Sequence, residues 1–166
     1  MKIYVAGAME HDLFGINRRR RRKINAALVE MGHEILDPID TNLEIDQELK
    51  RIKPTKGSNK YSGFVRLIVE NDLRLVSEAD LVFVIYSRGV RKGAGTHGEI
   101  TYAASLMKPI VIWSPWHKIK KIPGWIFGCC HPRFMNKKIQ QSLEDVNLIN
   151  NIINTGDEKT KVPRRE

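Results

Sequence analysis

The sequence predicts an α/β domain built on a doubly wound, mostly parallel sheet with helices on both faces. Short apolar runs (Lys2 to Ala6, Leu81 to Tyr86, Pro109 to Trp113) alternate with stretches of helical period. The runs are nearly continuous in apolar residues and lack the in-out alternation of a half-exposed strand, so both faces must be covered. Strands that alternate with helices in this way pair in parallel.

Each element has its own signal. Lys2 to Ala6 is a strand ending at Gly7. The helix after it carries Ile24, Ala27, Leu28 and Met31 at i, i+3, i+4 and i+7, and Gly32 stops it. His33 to Leu36 is a second strand, closed by Asp37-Pro38 because a residue before proline avoids the helical region. Residues 40 to 62 are polar, with a loop over Pro54 to Asn59 and a short helix before it. Phe64 to Glu78 reads as a helix and Leu81 to Tyr86 as a buried strand. Ser87 to Gly95 is a loop rich in glycine and basic residues. A helix over Thr96 to Met107 follows, its core stripe formed by Ile100, Ala103, Ala104 and Met107, and then the Pro109 to Trp113 strand. Pro115 to Arg133 is expected to be irregular with at most one short strand, and Asn136 to Asn154 to be a closing helix. We expect one domain over 1–154 and a disordered basic tail over 155–166.

The bulk properties narrow the class. A chain of 166 residues is long enough for one domain with a real core. Hydrophobic residues make up 42% and charged residues 28%, as in a soluble globular protein. No apolar run approaches bilayer length, and the opening MKIYVAGAM lacks the apolar stretch of a signal peptide, so no membrane partner is expected. Cys129 and Cys130 are adjacent and read as reduced thiols of a cytoplasmic protein. The net charge of +9 favours an anionic partner such as a nucleotide or a nucleic acid. There is no phosphate-binding P-loop, HExxH, paired CxxC or GxSxG pattern, so neither a metal nor a cofactor is expected.

Doubly wound sheets bind ligands outside the carboxyl ends of their strands. The segments at that edge are Gly7-Ala8-Met9, the loop after Tyr86 and the residues after Trp113. The second of these runs into GAGTHGE, residues 93 to 99. Thr96 and Glu99 have capping-box spacing, which is one role for the glutamate. The other is a reactive carboxylate, since Glu99 lies on the flank of the core stripe near a helix start. Gly93 and Gly95 let the backbone come close to a ligand. Asp72 falls among the apolar positions Val65, Ile68, Leu75 and Val76, where a carboxyl needs a partner or a task. Asp80, at the far end of the sheet, reads as a turn residue. The run Arg18 to Lys23 sweeps every face of its helix. Arg20 and Arg21 are in line with its inward positions, where a phosphate would relieve their repulsion by the helix dipole. A basic surface patch is the alternative. Arg91 and Lys92 add charge to the loop before Gly93.

Four stretches, KIYVAGAM, LVEMGHEILDP, ENDLRLVSEADLVFVIY and GTHGEITYAASLMKPIVI, resemble the nucleoside 2-deoxyribosyltransferase superfamily, with its related deoxynucleotide N-hydrolases, in order and spacing over roughly residues 2 to 113. The resemblance implies a flavodoxin-like fold, in agreement with the sheet read from the residues. It implies cleavage of the N-glycosidic bond of deoxynucleosides or their 5′-monophosphates, with the sugar passed to another base or to water. It makes Glu99 the nucleophile on C1′, gives Asp72 the leaving base, sets Tyr4 beside the nucleophile and lets the ligand approach at Gly7. Ala8, Met9 and Thr96 join the substrate-binding set with Gly93, Gly95, Arg20, Arg21, Arg91 and Lys92. Where transferases carry an aspartate six residues before the glutamate, and hydrolases a serine, this chain has Gly93. The implied partners are a deoxynucleoside or deoxynucleotide, a free base and further copies of the chain. A nucleic-acid target is less favoured, because only Phe14 stands near the arginines as a stacking aromatic.

Overall fold

The computed structural model describes residues 1–8, 16–114 and 122–155, so the expectations for Met9 and for the tail lie outside the described residues. In chain order the elements are β1 (Lys2–Gly7), α1 (Ile16–Glu30), β2 (Glu34–Leu36), α2 (Pro38–Thr41), α3 (Leu43–Ile52), α4 (Asn59–Glu78), β3 (Leu81–Ile85), α5 (Gly95–Ser105), β4 (Ile110–Trp113), α6 (Gly124–Cys129), a 3-10 turn (Pro132–Phe134), β5 (Met135–Asn136) and α7 (Ile139–Thr155).

The strands form one sheet in the order β2-β1-β3-β4-β5. Every pairing is parallel. This is the flavodoxin-like order, and its winding reverses between β1 and β3. All five residues of β3 are buried, because helices cover both faces. Apolar side chains of this size each stabilise by roughly 1.5–3 kcal/mol when fully buried, so β1, β3 and β4 are held chiefly by their own composition.

The register aligns Gly7 with Ile85 and Ile85 with Trp113. The chain therefore leaves three neighbouring strands at one level, and the loops at that edge share one rim. At the opposite edge Asp80 acts as the expected turn residue. Its carboxylate accepts from the Lys2 backbone N–H at 2.7 Å, and its own N–H donates to the Lys2 carbonyl. Gly32 ends α1 with φ +82, a conformation that side chains disfavour.

Four expectations are corrected. The 40–62 segment holds the end of α2, the whole of α3 and the start of α4. Helix α4 starts at Asn59, ahead of Phe64, because Ser58 Oγ accepts the Tyr61 N–H at 3.2 Å and caps it there. Met107 is 86% exposed and lies outside the core stripe, since α5 stops at Ser105 and Met107 takes the left-handed turn beyond it with φ +57. The stretch expected to be irregular contains α6, whose Ile126 is buried. No described helix is long and apolar enough to cross a membrane.

Candidate active site

The rim holds a cleft of about 900 Å³. Its lining comes from Gly7 and Ala8 at the end of β1, from the residue 89–99 stretch, and from one face each of α4 and α5 with Trp125 of α6. The helices are placed by packing: α4 and α5 lie against β1 and each other, and α5 also meets α6.

Glu99 belongs to the first turns of α5 and faces this cleft while only 7% exposed. It is not a cap. Ala94 already has helical φ and ψ, so the helix starts before Thr96, and no side chain caps it. The capping-box expectation fails because that earlier start places Thr96 inside the helix and Glu99 a turn further on. Glu99 Oε2 is buried without a hydrogen-bond partner. Burial first, and then the neighbouring Asp72 carboxyl, raise the Glu99 pKa from 4.5 to about 7. Tyr4 and Arg21 oppose that rise.

Tyr4 is fully buried in β1, and its hydroxyl also lacks a partner. It lies near enough to Glu99 to favour the carboxylate, but the two are not in full hydrogen-bond geometry. Burial, and then the charges of Glu99 and Asp72, push the Tyr4 phenol well above its usual range. Tyr4 is therefore a proton donor and never a phenolate at neutral pH.

Asp72 lies on the inward face of α4 and lines the same cleft, 7% exposed. Its partner is Asn42, whose Nδ2 donates to Asp72 Oδ1 at 2.7 Å. Asn71 Nδ2 donates to Asn42 Oδ1 at 3.2 Å, which orients that amide. Burial raises the Asp72 carboxyl from 3.8 to about 6, against the lowering by Asn42 and Arg21. Burial thus raises both carboxyls of the cleft toward neutrality. The Asn42 bond favours ionised Asp72, so in Asn42→Ala the Asp72 carboxyl is expected to titrate above the wild-type value. Carboxyl ¹³C NMR would read this, and an unmoved midpoint would refute the influence of the Asn42 bond on Asp72.

Of the other expected residues, Gly7, Ala8, Gly93, Gly95 and Thr96 line the cleft. A Cβ at Gly7 would lie 3.2 Å from Arg21 Nη2 and 3.3 Å from the Ile85 carbonyl, so any side chain there would crowd both. Arg20 is half-buried, Arg91 and Lys92 are exposed, and none of the three is in the described lining. Arg21 is buried beneath the cleft. Its Nη1 donates to the Val5 carbonyl at 2.6 Å and to Asp37 Oδ1 at 2.8 Å, and its Nη2 to the Gly7 carbonyl at 3.3 Å. The anion that Arg21 meets in this structure is Asp37, and the phosphate expected from the sequence has no place in that arrangement. Asp37 also accepts from Asn25 Nδ2 and from the Ile39 N–H, which starts α2.

Reading the sequence missed Asn42, His97, Thr101, Tyr102 and Trp125. Asn42 precedes an amphipathic helix and has the look of an N-cap, yet it makes no cap bond because its amide serves Asp72. Nothing local distinguishes it from the other polar residues of that segment. Among the described residues no group of three His, Cys, Asp or Glu could hold a metal ion.

Fold and cleft together define a flavodoxin-like α/β domain with a rim site built on two buried carboxyls. Among solved structures the chain is similar to a 2-deoxyribosyltransferase from Bacillus psychrosaccharolyticus at 23% identity. That likeness covers 79% of this chain and 83% of the other with a TM-score of 0.56, and it is a likeness of fold. It is also similar to the CMP N-glycosidase BcmB of Clostridium botulinum, at 15% identity over 89% of this chain and 98% of that one, with a TM-score of 0.48. No family model matches the sequence, and no curated protein does.

Proposed function

We propose that this chain cleaves the N-glycosidic bond of 2′-deoxyribonucleosides and transfers the deoxyribosyl group to another base, through a glycosyl ester of Glu99. The observation that carries this reading is the unpartnered, buried Glu99 oxygen in the cleft wall beside Asp72 and Tyr4. The sequence resemblance supports the same chemistry. A glutamate that merely stabilised the fold would have its oxygens bonded.

The ionised Glu99 oxygen attacks C1′ as the C1′–N bond breaks, and the bonding pair leaves with the base nitrogen. That transition state has oxocarbenium character, which a close carboxylate stabilises. Glu99 is raised further than Asp72, so the reactive form is the minority one in which the proton has moved from Glu99 to Asp72, and from there Asp72 protonates the departing nitrogen. Asn42 occupies Asp72 Oδ1, so the proton belongs on the other oxygen. In the second half an acceptor nitrogen attacks C1′, the ester bond breaks, Glu99 regains its charge and the acceptor's proton returns to Asp72. Two displacements retain the configuration at C1′. Tyr4 donates toward Glu99 as the carboxylate is released.

No lysine or arginine lines the cleft among the described residues, which favours a neutral nucleoside over its 5′-monophosphate. The apolar lining suits a planar base as acceptor better than water. The test is to mix the protein with deoxynucleoside and deoxynucleotide pools and examine it by mass spectrometry. A sugar-sized adduct is expected on the peptide holding Glu99. Deoxyinosine with adenine is expected to give a new deoxynucleoside only when adenine is present. Free deoxyribose would assign transfer to water instead, and no adduct with no turnover would remove the reading altogether.

A further inference from the structure

We propose that Trp125 is the stacking wall for the nucleobase and that base recognition at this site is by ring face, so purines and pyrimidines are held alike. This rests on the glycosyl-transfer reading. Trp125 is the second residue of the short helix α6, next to the buried anchor Ile126. The residue is 68% exposed, yet it lines the cleft.

The ring is held in place by hydrogen bonds. Trp125 Nε1 donates to Thr101 Oγ1 at 2.9 Å, and that hydroxyl donates to the His97 carbonyl at 2.8 Å. Both acceptors belong to α5, the helix that carries Glu99. The donor is therefore already satisfied by the protein, and the indole has only its face and edge to offer a ligand.

Helix α5 packs between α4 and α6. The apolar lining contributed by α4 is Val65, Ile68, Val69 and Leu73. A flat heteroaromatic ring suits a space bounded by an indole and an aliphatic ridge, whereas a sugar carries hydroxyls that such walls leave unpaired. Gly93 also lines the cleft and offers no side chain to a base edge. Stacking on an aromatic side chain is tolerant of base identity, because every base has a π-face. Thr101 acts through Trp125 and is a positioning residue.

The test is calorimetric titration of adenine and of cytosine into the wild-type protein and the variants Trp125→Phe, Trp125→Ala and Thr101→Val, with sedimentation of each. Trp125→Phe keeps a ring face but loses the bond to Thr101, so it should weaken both bases by no more than a factor like that of Thr101→Val. Trp125→Ala should weaken both by roughly 10- to 100-fold and by similar factors. Thr101→Val should weaken both by a smaller factor, and its tryptophan emission should shift as the indole is released. Unchanged affinity in Trp125→Ala overturns the assignment, as does a loss confined to one base or a wild-type protein that binds neither. A change of oligomeric mass with base affinity intact would assign Trp125 to a contact between subunits and also overturn it. Should Trp125→Ala fail to fold, Trp125→Leu and Thr101→Val carry the same comparison. If both bases bind through Trp125 but no deoxynucleoside is cleaved, the reaction is wrong and the base wall stands. If Glu99 forms its adduct while Trp125→Ala binds normally, the wall alone falls.

Discussion

Glu99→Gln is expected to lower turnover of a deoxynucleoside by about 1,000-fold or more, with substrate affinity retained. The amide preserves shape and burial but cannot form the ester, so the loss falls on kcat, equivalent to about 4 kcal/mol of transition-state stabilisation. Steady-state kinetics with calorimetric binding separates the two quantities, and a variant that keeps its turnover would end the nucleophile assignment. The same substitution should make the fold more stable at high pH. Burial raises the Glu99 pKa from 4.5 to about 7, so the folded state prefers the protonated carboxyl. A group raised in this direction destabilises as pH climbs from its unfolded value through its folded one. The penalty is absent well below pH 4.5, complete above about 7, and at most about 3 kcal/mol. Glu99→Gln should thus melt several degrees above wild type at pH 8 and equal to it near pH 4. Activity has a different dependence. It needs Glu99 ionised and a proton on Asp72, so kcat/KM should follow a bell, falling on the acid side as Glu99 is protonated and on the alkaline side as the last proton leaves the pair. Removing the Asp72 charge in Asp72→Asn should move that acid limb to lower pH, because Asp72 is the second cause of the rise.

Arg21→Met is expected to destabilise the fold by about 3–5 kcal/mol, the usual consequence of leaving one member of a buried ion pair uncompensated. Side chains of Arg21 and Asp37 are 6% and 8% exposed, so water cannot replace the lost partner. The substitution also frees the Val5 and Gly7 carbonyls at the end of β1. Urea denaturation measures the effect. The double variant Arg21→Met with Asp37→Asn should recover part of the loss, since no charge is then stranded. A loss below about 1 kcal/mol would mean that the pair is solvated or dispensable. Arg21→Lys should not restore stability, because one ammonium cannot span Asp37 and two carbonyls as the planar fork does.

These two residues mark the boundary between what reading the residues reveals and what it does not. Glu99 was legible because its address follows from strand order. A parallel sheet places the helix after β3 at the ligand rim, and GAGTHGE begins that helix. Asp72 was legible as an acid among apolar positions at helical spacing. Strand positions followed from continuous apolar runs, which owe nothing to distant contacts. Arg21 lies in a run of like residues, so charge and periodicity placed it inward but could not name its counter-ion. Asp37 stands sixteen positions away and meets Arg21 only when α1 packs against β2. Asn42 and Asp72 are thirty positions apart, and Trp125 and Thr101 twenty-four. Local pattern reports which face of an element is apolar. The partner of a buried polar group is chosen by how separate elements dock, and for that the folded chain was needed.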